Sequence, residues 1–552
     1  MAKGRSLRRI GDPVVASAPA GVRIRTRIHP VAAEAEALRA IGEVLGSVYR
    51  GELAGRVRVG GLDRKGQAVW RATRKQALTA VSSSRWAGTI TRAVEDQYQL
   101  GMRSLAAQVA DLRAAVAVLE ARCVLGPGEL APIADAEAGD RSRRRGYRSA
   151  AERFAKTRRL AVLRTRLAVA EEALAAGRPA ITVGGKRLWR NRNHLDATDL
   201  TAQLWREKWD AARMFLTADG ESSKSGGNET IRVDAQGQLR IKVPVELVAQ
   251  FGAHLEITTP VQFHHRGPEW RDRATGRRAV RYDIRCDPER DRWYLDASWK
   301  TAAEPVAELD GLRSGPVLGV DLNADHLACC LLDASGNPIG EPVTIPVQTP
   351  GLRASRRDGR VRAAISSLLD FAEHHQCTAI VVENLDFADA RATGRETLGR
   401  GKRGKRFRRA VAGIPTRRFR TRLTAMAARR GIAVIGVDPA YTSRWGAQHW
   451  RTPLQQQTSD PATVTTHHGA AAAIGRRGLG LAIRRRPAGP RTRQRTSVGT
   501  PPARPDQQPG TTPRRCRSSG SPAPPRGARV HRTTPTASGQ HRSGRTGHTP
   551  AH

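Results

Sequence analysis

The 552-residue sequence has no Cys-x-x-Cys pair, no apolar run long enough to cross a bilayer, and too few acids for its bases. Six cysteines, Cys123, Cys286, Cys329, Cys330, Cys377 and Cys516, stand at spacings that suit neither a disulfide framework nor a zinc ribbon, so a reducing, cytoplasmic compartment and no zinc are expected. A membrane-spanning helix needs about 20 consecutive apolar residues, and none is found. Met1-Ala-Lys-Gly-Arg-Ser also lacks the apolar core of a secretory signal. Asp and Glu number 51 against 94 Lys and Arg, a formal net charge of +43 that suits a protein neutralising phosphates. The bases are spread along the chain and not gathered on one amphipathic helix, which places nucleic acid above a membrane surface as partner. After Arg484 there is no aromatic residue and one acid, Asp506, among Pro, Arg, Thr, Ser and Gly. Residues 485–552 cannot bury enough apolar surface to fold and are expected to be a disordered tail.

What is present centres on Gly315-Pro-Val-Leu-Gly-Val-Asp-Leu-Asn323, an apolar run ending in Asp321. Such a run bounded by glycine reads as a buried strand, and a carboxylate at its end is costly unless a cation meets it. A second strand at Leu327–Leu332, a Gly-Asn-Pro turn and a third strand from Ile339 predict an antiparallel meander. Helical spacing follows Arg360, and a buried strand from Thr378 to Val382 ends in Glu383. Three meandering strands, a helix and a further strand closing on an acid is the order expected of an RNase H-like fold, in which acids on separate elements converge on divalent metal. An isolated acid at a strand end more often caps a turn; two acids in this order favour the metal reading.

The N-terminal half shows other periods. Arg23-Ile-Arg-Thr-Arg-Ile28 alternates like a strand with one charged face, and helical patterns follow at 31–56 and 66–82. Leu105, Val109, Leu112, Val116 and Leu119 match Leu160, Leu163, Leu167, Ala170 and Leu174 in heptad spacing, predicting an antiparallel helical hairpin. From about Ala180 the period is two, at Ile181–Val183, Thr230–Val233, Leu239–Val243, Leu255–Thr258, Val261–Phe263, Val280–Arg285 and Trp293–Trp299, predicting a small antiparallel barrel interrupted by one helix near 197–218. Beyond Glu383, the bases Arg400, Lys402, Arg403, Lys405, Arg406, Arg408 and Arg409, then Arg417, Arg418 and Arg420, surround Phe407 and Phe419. Coming directly after the second acid, this block suits a groove that tracks phosphates, as do Arg444, Arg476 and Arg477. A helix from Pro415 to about Arg430, a strand from Ile432 to Val437, a turn at 438–446, and an Ala-rich helix from His467-His468 that Gly475 and Gly478 would terminate complete the segment.

In several stretches the chain resembles the TnpB family of transposon-encoded RNA-guided nucleases, relatives of the type V CRISPR effectors. Gly319-Val-Asp-Leu-Asn-Ala-Asp-His-Leu-Ala328 is similar to the first RuvC motif, Ile380-Val-Val-Glu-Asn-Leu-Asp-Phe387 to the second, and Val437-Asp-Pro-Ala-Tyr-Thr-Ser443 to the segment before the family's zinc ribbon. Two departures stand out: Arg444-Trp-Gly-Ala-Gln-His-Trp450 occupies the place of the ribbon without a cysteine, and His467, with His468 beside it, takes the place of the third RuvC Asp.

The resemblance implies an α+β multidomain protein: a basic segment over 1–30 belonging to the barrel, a helical recognition lobe over 31–178, a wedge-like β-barrel over 179–312 and a RuvC-like α/β nuclease domain over 313–484. It implies Mg²⁺ or Mn²⁺ on Asp321 and Glu383, with His467 or His468 completing the site or activating water, since a neutral imidazole can ligate metal or accept a proton. Guide RNA and a double-stranded DNA target are the implied partners, in a cytoplasmic, nucleoid-associated setting, with no small-molecule substrate. A catalytically silent RNA-guided DNA-binding repressor and a miniature type V CRISPR effector are the alternatives.

Overall fold

The computed structural model describes residues 10–131, 145–302, 305–348, 352, 354–384 and 416–484. The expected disordered tail and the basic run from Arg400 to Arg409 lie outside these residues, as does the side chain of Arg417. The chain is a mixed α/β protein with three sheets. None of its described helices is long and apolar enough to cross a membrane.

Strands β1 (Val14–Val15) and β2 (Gly21–Ile28) precede four helices, α1 (Ala32–Val59), α2 (Arg64–Val81), α3 (Ser84–Cys123) and α4 (Ala150–Ala175). Helices α3 and α4 form the expected hairpin: Arg113 pairs with Glu171, Arg164 with Glu120, and Arg153 donates to the Cys123 carbonyl, so the two run antiparallel. Their heptad leucines make a small core of their own, with Leu112, Leu119, Leu160 and Leu163 buried. The roots of α1 and α3 behave otherwise. Leu38, Ile41, Trp86 and Ile90 share one continuous core with Ile231, Ile241, Tyr282 and Leu295 of the β region, so a boundary at residue 178 cuts through packed side chains.

After α5 (Lys186–Asn191) and α6 (Ala202–Ala211), the β region consists of β3 (Thr217–Ala218), β4 (Ile231–Val233), β5 (Leu239–Lys242), α7 (Val248–Phe251), β6 (His254–Ile257), α8 (Gly267–Thr275), β7 (Arg281–Asp287) and β8 (Arg292–Lys300). It does not close into the expected barrel. Strands β2, β8, β7 and β3 form one antiparallel sheet and β4, β5 and β6 another. Ile181–Val183 and Val261–Phe263 are not strands; they pack as irregular segments, the first held between Pro179 and the positive-φ pair Gly184-Gly185. The charged face of β2 is internally matched, because Arg23 and Arg25 both donate to the buried carboxylate of Asp296. Burial alone would push Asp296 up, yet the bonds from Arg25 and Arg23 hold it below the usual carboxylate range.

Past α9 (Leu309–Arg313), the six-stranded sheet is built from β9 (Val317–Leu322), β10 (His326–Leu332), β11 (Val343–Pro346), β12 (Ala379–Glu383) and β13 (Ala433–Val437), in the order β1-β13-β12-β9-β10-β11. β9, β10 and β11 form the antiparallel meander, while β12 runs parallel to both β9 and β13. The succession of three meandering strands, a helix and a further strand matches the sequence reading, with two corrections. The third strand starts at Val343 and not Ile339, since Pro338 makes only an isolated bridge to Leu332. Val14 and Val15 pair with β13, so part of the N-terminal segment joins this sheet and not the β region before it.

Side chains alternate across the sheet. Leu318, Val320, Ile380 and Val382 face α10 (Ala354–His374) and α11 (Thr416–Ala428) through Ile365, Leu368, Phe419 and Leu423. Phe419 is thus core and not a groove aromatic. The opposite face, with Val317, Ala379, Val381 and Val437, is covered by α12 (Thr442–His449), α13 (Arg451–Gln457) and α14 (Thr466–Gly478). The expected turn at 438–446 is therefore half helix, begun by Tyr441 at φ +65°. Gly475 lies inside α14 and does not end it, whereas Gly478 is its last residue; both let the helix lie flat, because a Cβ at Gly475 would strike Leu332 and one at Gly478 would strike Val381. On the sheet, a Cβ at Gly319 would run into the Ala471 carbonyl, and α12 crosses α14 where a Cβ at Gly446 would stand 2.5 Å from the Gly469 carbonyl.

Gly319→Ala is expected to lower stability by about 2 kcal/mol or more, since neither backbone can yield. Gly311→Ala, whose added methyl meets nothing within 4 Å, should stay within about 0.5 kcal/mol of wild type. Urea denaturation of both variants checks this; equal stability would remove the close contact from the account.

Candidate active site

Asp321 and Glu383 end adjacent parallel strands. Val320 pairs with Val382, so the two acids occupy the next step of the same ladder and project to the face covered by α14. Asp321 is 7% exposed. Glu383 accepts a hydrogen bond from the Thr442 hydroxyl at the start of α12. Desolvation by burial, with further repulsion from Asp321, pushes Glu383 up to about 7 despite Thr442 and the charge of Arg477.

The N-terminus of α14 brings the third group. Thr465 caps the helix by accepting from the His467 backbone N–H at 3.2 Å. His467 Nδ1 lies 2.8 Å from Asp321 Oδ2, so Nδ1 carries the proton and donates, and its bond to Asp321 raises the pKa of the imidazole. His467 makes no hydrogen bond to Glu383 among the described residues.

His468 is corrected to a structural residue. Its Nδ1 accepts from the Thr465 backbone N–H at 3.1 Å, which leaves Nε2 as the donor to Thr344 Oγ1 at 2.9 Å. With both nitrogens engaged and 1% exposure, it closes the capping box and offers nothing to a ligand.

Further residues at the site escaped the sequence reading. Asn323 donates to Asp321 Oδ2 at 3.2 Å and to His326 Nε2 at 3.3 Å. His326 in turn gives its Nδ1 proton to Asp325 at 2.7 Å, and its ring stands edge-on to His467 at 5.3 Å. The cue lay in Asn-Ala-Asp-His directly after Leu322, four residues in which three are polar, in a turn that needed none of them.

Among the described residues, no group of three His, Cys, Asp or Glu side chains stands ready to hold a metal ion. The donor chemistry nevertheless fits one in part. Two carboxylates side by side, one of them driven toward its protonated form, are what Mg²⁺ or Mn²⁺ relieves. His467 is placed as the partner that orients Asp321.

Of the basic residues, Arg444 and Arg418 are exposed, and Arg420 donates to Asn384, next after Glu383. Arg476 and Arg477 are corrected. Arg476 lies over the Trp450 ring at 4.8 Å and donates to the Gly336 and Ala482 carbonyls. Arg477 is 6% exposed and donates to the Asp438 carbonyl, so neither guanidinium faces a groove.

No family model matches this sequence, and no curated protein does. Among solved structures, T. thermophilus RuvC in complex with Holliday junction substrate is similar over 30% of this chain and 91% of that chain, at 16% identity and a TM-score of 0.21. The strand order above, and not this likeness, carries the fold assignment.

Because the folded state keeps the Glu383 proton where the unfolded chain has lost it, this group's contribution to stability falls as pH rises from 4.5 to about 7. The loss is on the order of 3 kcal/mol. In EDTA, Glu383→Gln should match wild type near pH 4.5 and exceed its stability at pH 8. Urea titrations at both pH values test this, and an identical difference at the two would refute it.

Proposed function

We propose that this chain is an RNA-guided DNA endonuclease of the TnpB-like type, hydrolysing phosphodiesters at the Asp321–Glu383 pair. The observation that carries the reading is the register placing the two acids abreast on β9 and β12, under the helix that presents His467. The motif resemblance supplies the guide RNA and the DNA target, and the net charge of +43 supports a polyanionic partner. Arg418, Arg420 and Arg444 are the described candidates for phosphate contact.

Asp321 and Glu383 would hold Mg²⁺ or Mn²⁺, which supplies charge stabilisation of the attacking and leaving oxygens when bound. The chain's own residues do the rest. Thr442 fixes one Glu383 oxygen, and Asn323 and His467 fix Asp321, so neither carboxylate has to be ordered by the ligand. His467 Nδ1 is committed to Asp321, which leaves Nε2 to take or give a proton at the half-exposed mouth of the site.

A second reading, a silent RNA-guided DNA-binding protein, is favoured by one observation: an imidazole hydrogen-bonded to Asp321 stands where the family carries a third acid. Cleavage of guide-matched duplex DNA by the co-purified ribonucleoprotein decides between them. Wild type with Mg²⁺ or Mn²⁺ should cut, Asp321→Ala and Glu383→Ala should not, and His467→Ala should lose about 10- to 100-fold. Identical products from wild type and Asp321→Ala would sink the nuclease reading; RNA-dependent DNA binding without cutting would establish the silent one. Independently of activity, Mn²⁺ at a hundredfold excess over its Kd should stabilise wild type by about 2.7 kcal/mol and leave Asp321→Ala unchanged.

A further inference from the structure

Away from the sheet and its acids, α5 and α6 carry an aromatic arrangement that the nuclease site does not use. Trp205 and Trp209 stand one turn apart on α6 and stack at 5.7 Å with planes 12° apart. Trp189 of α5 stacks on Trp209 at 5.7 Å and 29°. The indole N–H of Trp205 donates to the Leu188 carbonyl at 2.9 Å and fastens the two helices together. The absent side chain of Gly184 leaves room for the Trp209 ring, which a Cβ there would meet at 2.8 Å. The guanidinium of Arg192 lies over the Trp189 ring, 3.2 Å from its centroid, and Arg192 is itself exposed.

Packing alone does not account for Trp189. Six of the ten tryptophans, Trp86, Trp270, Trp293, Trp299, Trp445 and Trp450, are core residues no more than 8% exposed. Trp189 is 45% exposed, and leaving a large ring in water forfeits burial energy that the same residue type secures elsewhere in the chain. The charges around it in the chain are of one sign. Lys186, Arg187, Arg190 and Arg192 are all exposed, no acid occurs between Glu172 and Asp196, and none of the four cations is ion-paired among the described residues.

We propose that the Trp205–Trp209–Trp189 ladder, capped by Arg192, is a platform on which an unpaired nucleobase of single-stranded nucleic acid stacks while Lys186, Arg187 and Arg190 take the flanking phosphates. Stacked indoles held rigid by α6 present a flat π surface without rotamer cost, and a guanidinium plane extends that surface or yields its place to the base. Cations without carboxylate partners suit a phosphate backbone, since no existing ion pair has to break. A duplex keeps its bases stacked on one another and has no free face to offer, so the site selects single strands. Both RNA and DNA carry such bases, and sugar identity is left to the experiment. The platform does not depend on Asp321 or Glu383.

The test uses the full-length chain and fluorescein-labelled 20-mers of oligo(U), oligo(dT) and a mixed-sequence duplex, with affinity read by anisotropy. Trp189→Ala should weaken single-strand binding about tenfold and leave the duplex unchanged, while Trp189→Phe recovers most of the loss. Arg190→Ala should instead lower the salt slope by about one, a change that Trp189→Ala should not produce. With a 5-iodouracil oligonucleotide, photo-crosslinking should mark the peptide containing Trp189. A loss confined to oligo(U) assigns the platform to RNA, one confined to oligo(dT) to DNA, and a loss on both to unpaired bases of either sugar. Unchanged single-strand affinity in Trp189→Ala, or an equal loss on the duplex, would overturn the proposal. Because no cleavage is measured, its failure would leave the nuclease reading standing, and the reverse also holds.

Discussion

The seat of α14 on the six-stranded sheet is the constraint on which the site depends. Two backbones meet where Gly319 faces the Ala471 carbonyl, and glycine and alanine side chains along α14 keep the helix close to β9, β10 and β12. A side chain at either place would lift the helix away from the sheet. That closeness brings the first turn of α14 within hydrogen-bonding reach of Asp321, and it leaves Glu383 walled by Thr442 on the helix that crosses α14 at Gly446. Burial of Glu383, and with it the displacement of its pKa, is thus a consequence of glycine placement well before it is a matter of acids.

Parts of this were legible in the sequence for identifiable reasons. Val317–Val320 and Ala379–Val382 read as buried strands because a parallel strand covered on both faces needs continuous apolar residues, and each acid marks the point where the run stops. His467 could be placed at the start of the Ala-rich helix, because a helix start is a local property. What local pattern could not supply was partnership across long separations. Thr442 reaches Glu383 from 59 residues away and His467 reaches Asp321 from 146, and both distances collapse only when α12 and α14 dock. Arg477 read as a phosphate contact because charge suggests exposure, whereas here its guanidinium serves the Asp438 carbonyl inside the fold. Period-two alternation told which residues of β4–β8 face inward, but whether two sheets close into a barrel depends on edge pairing, which that alternation does not record.

Before the six-stranded sheet the chain handles charge in two different ways. In the β region, buried carboxylates are met by half-exposed cations: Asp296 by Arg23 and Arg25, and Asp283 by Arg281 at 3.7 Å. Removing the arginines there would strand a buried carboxylate, so these pairs fix the register of β2, β7 and β8 without adding much net stability. In the helical lobe Arg56, wholly buried, does the same work by pairing with Glu95 and stacking on Tyr98 at 3.6 Å. The α5 segment follows a different rule: Lys186, Arg187, Arg190 and Arg192 are exposed, none is ion-paired among the described residues, and Arg192 lies over the Trp189 ring.

At the sheet acids the balance is intermediate, and it bears on what the site can do. His467 gives Asp321 a donor that becomes cationic when protonated, and Arg477 offsets part of the charge of Glu383, while Asp325 and Asp438 add negative charge nearby. Two carboxylates facing an imidazole donor and a guanidinium carry less uncompensated charge than the pair alone would. A divalent cation would be held less firmly by such a site than by three carboxylates, since its affinity grows with the number of anionic ligands. A phosphodiester would be repelled less by it, since less negative charge has to be neutralised before the backbone approaches. Under the nuclease reading, such a site would trade cation affinity for tolerance of an approaching phosphodiester, and hydrolysis would then depend on how much cation affinity Asp321 and Glu383 retain as a pair.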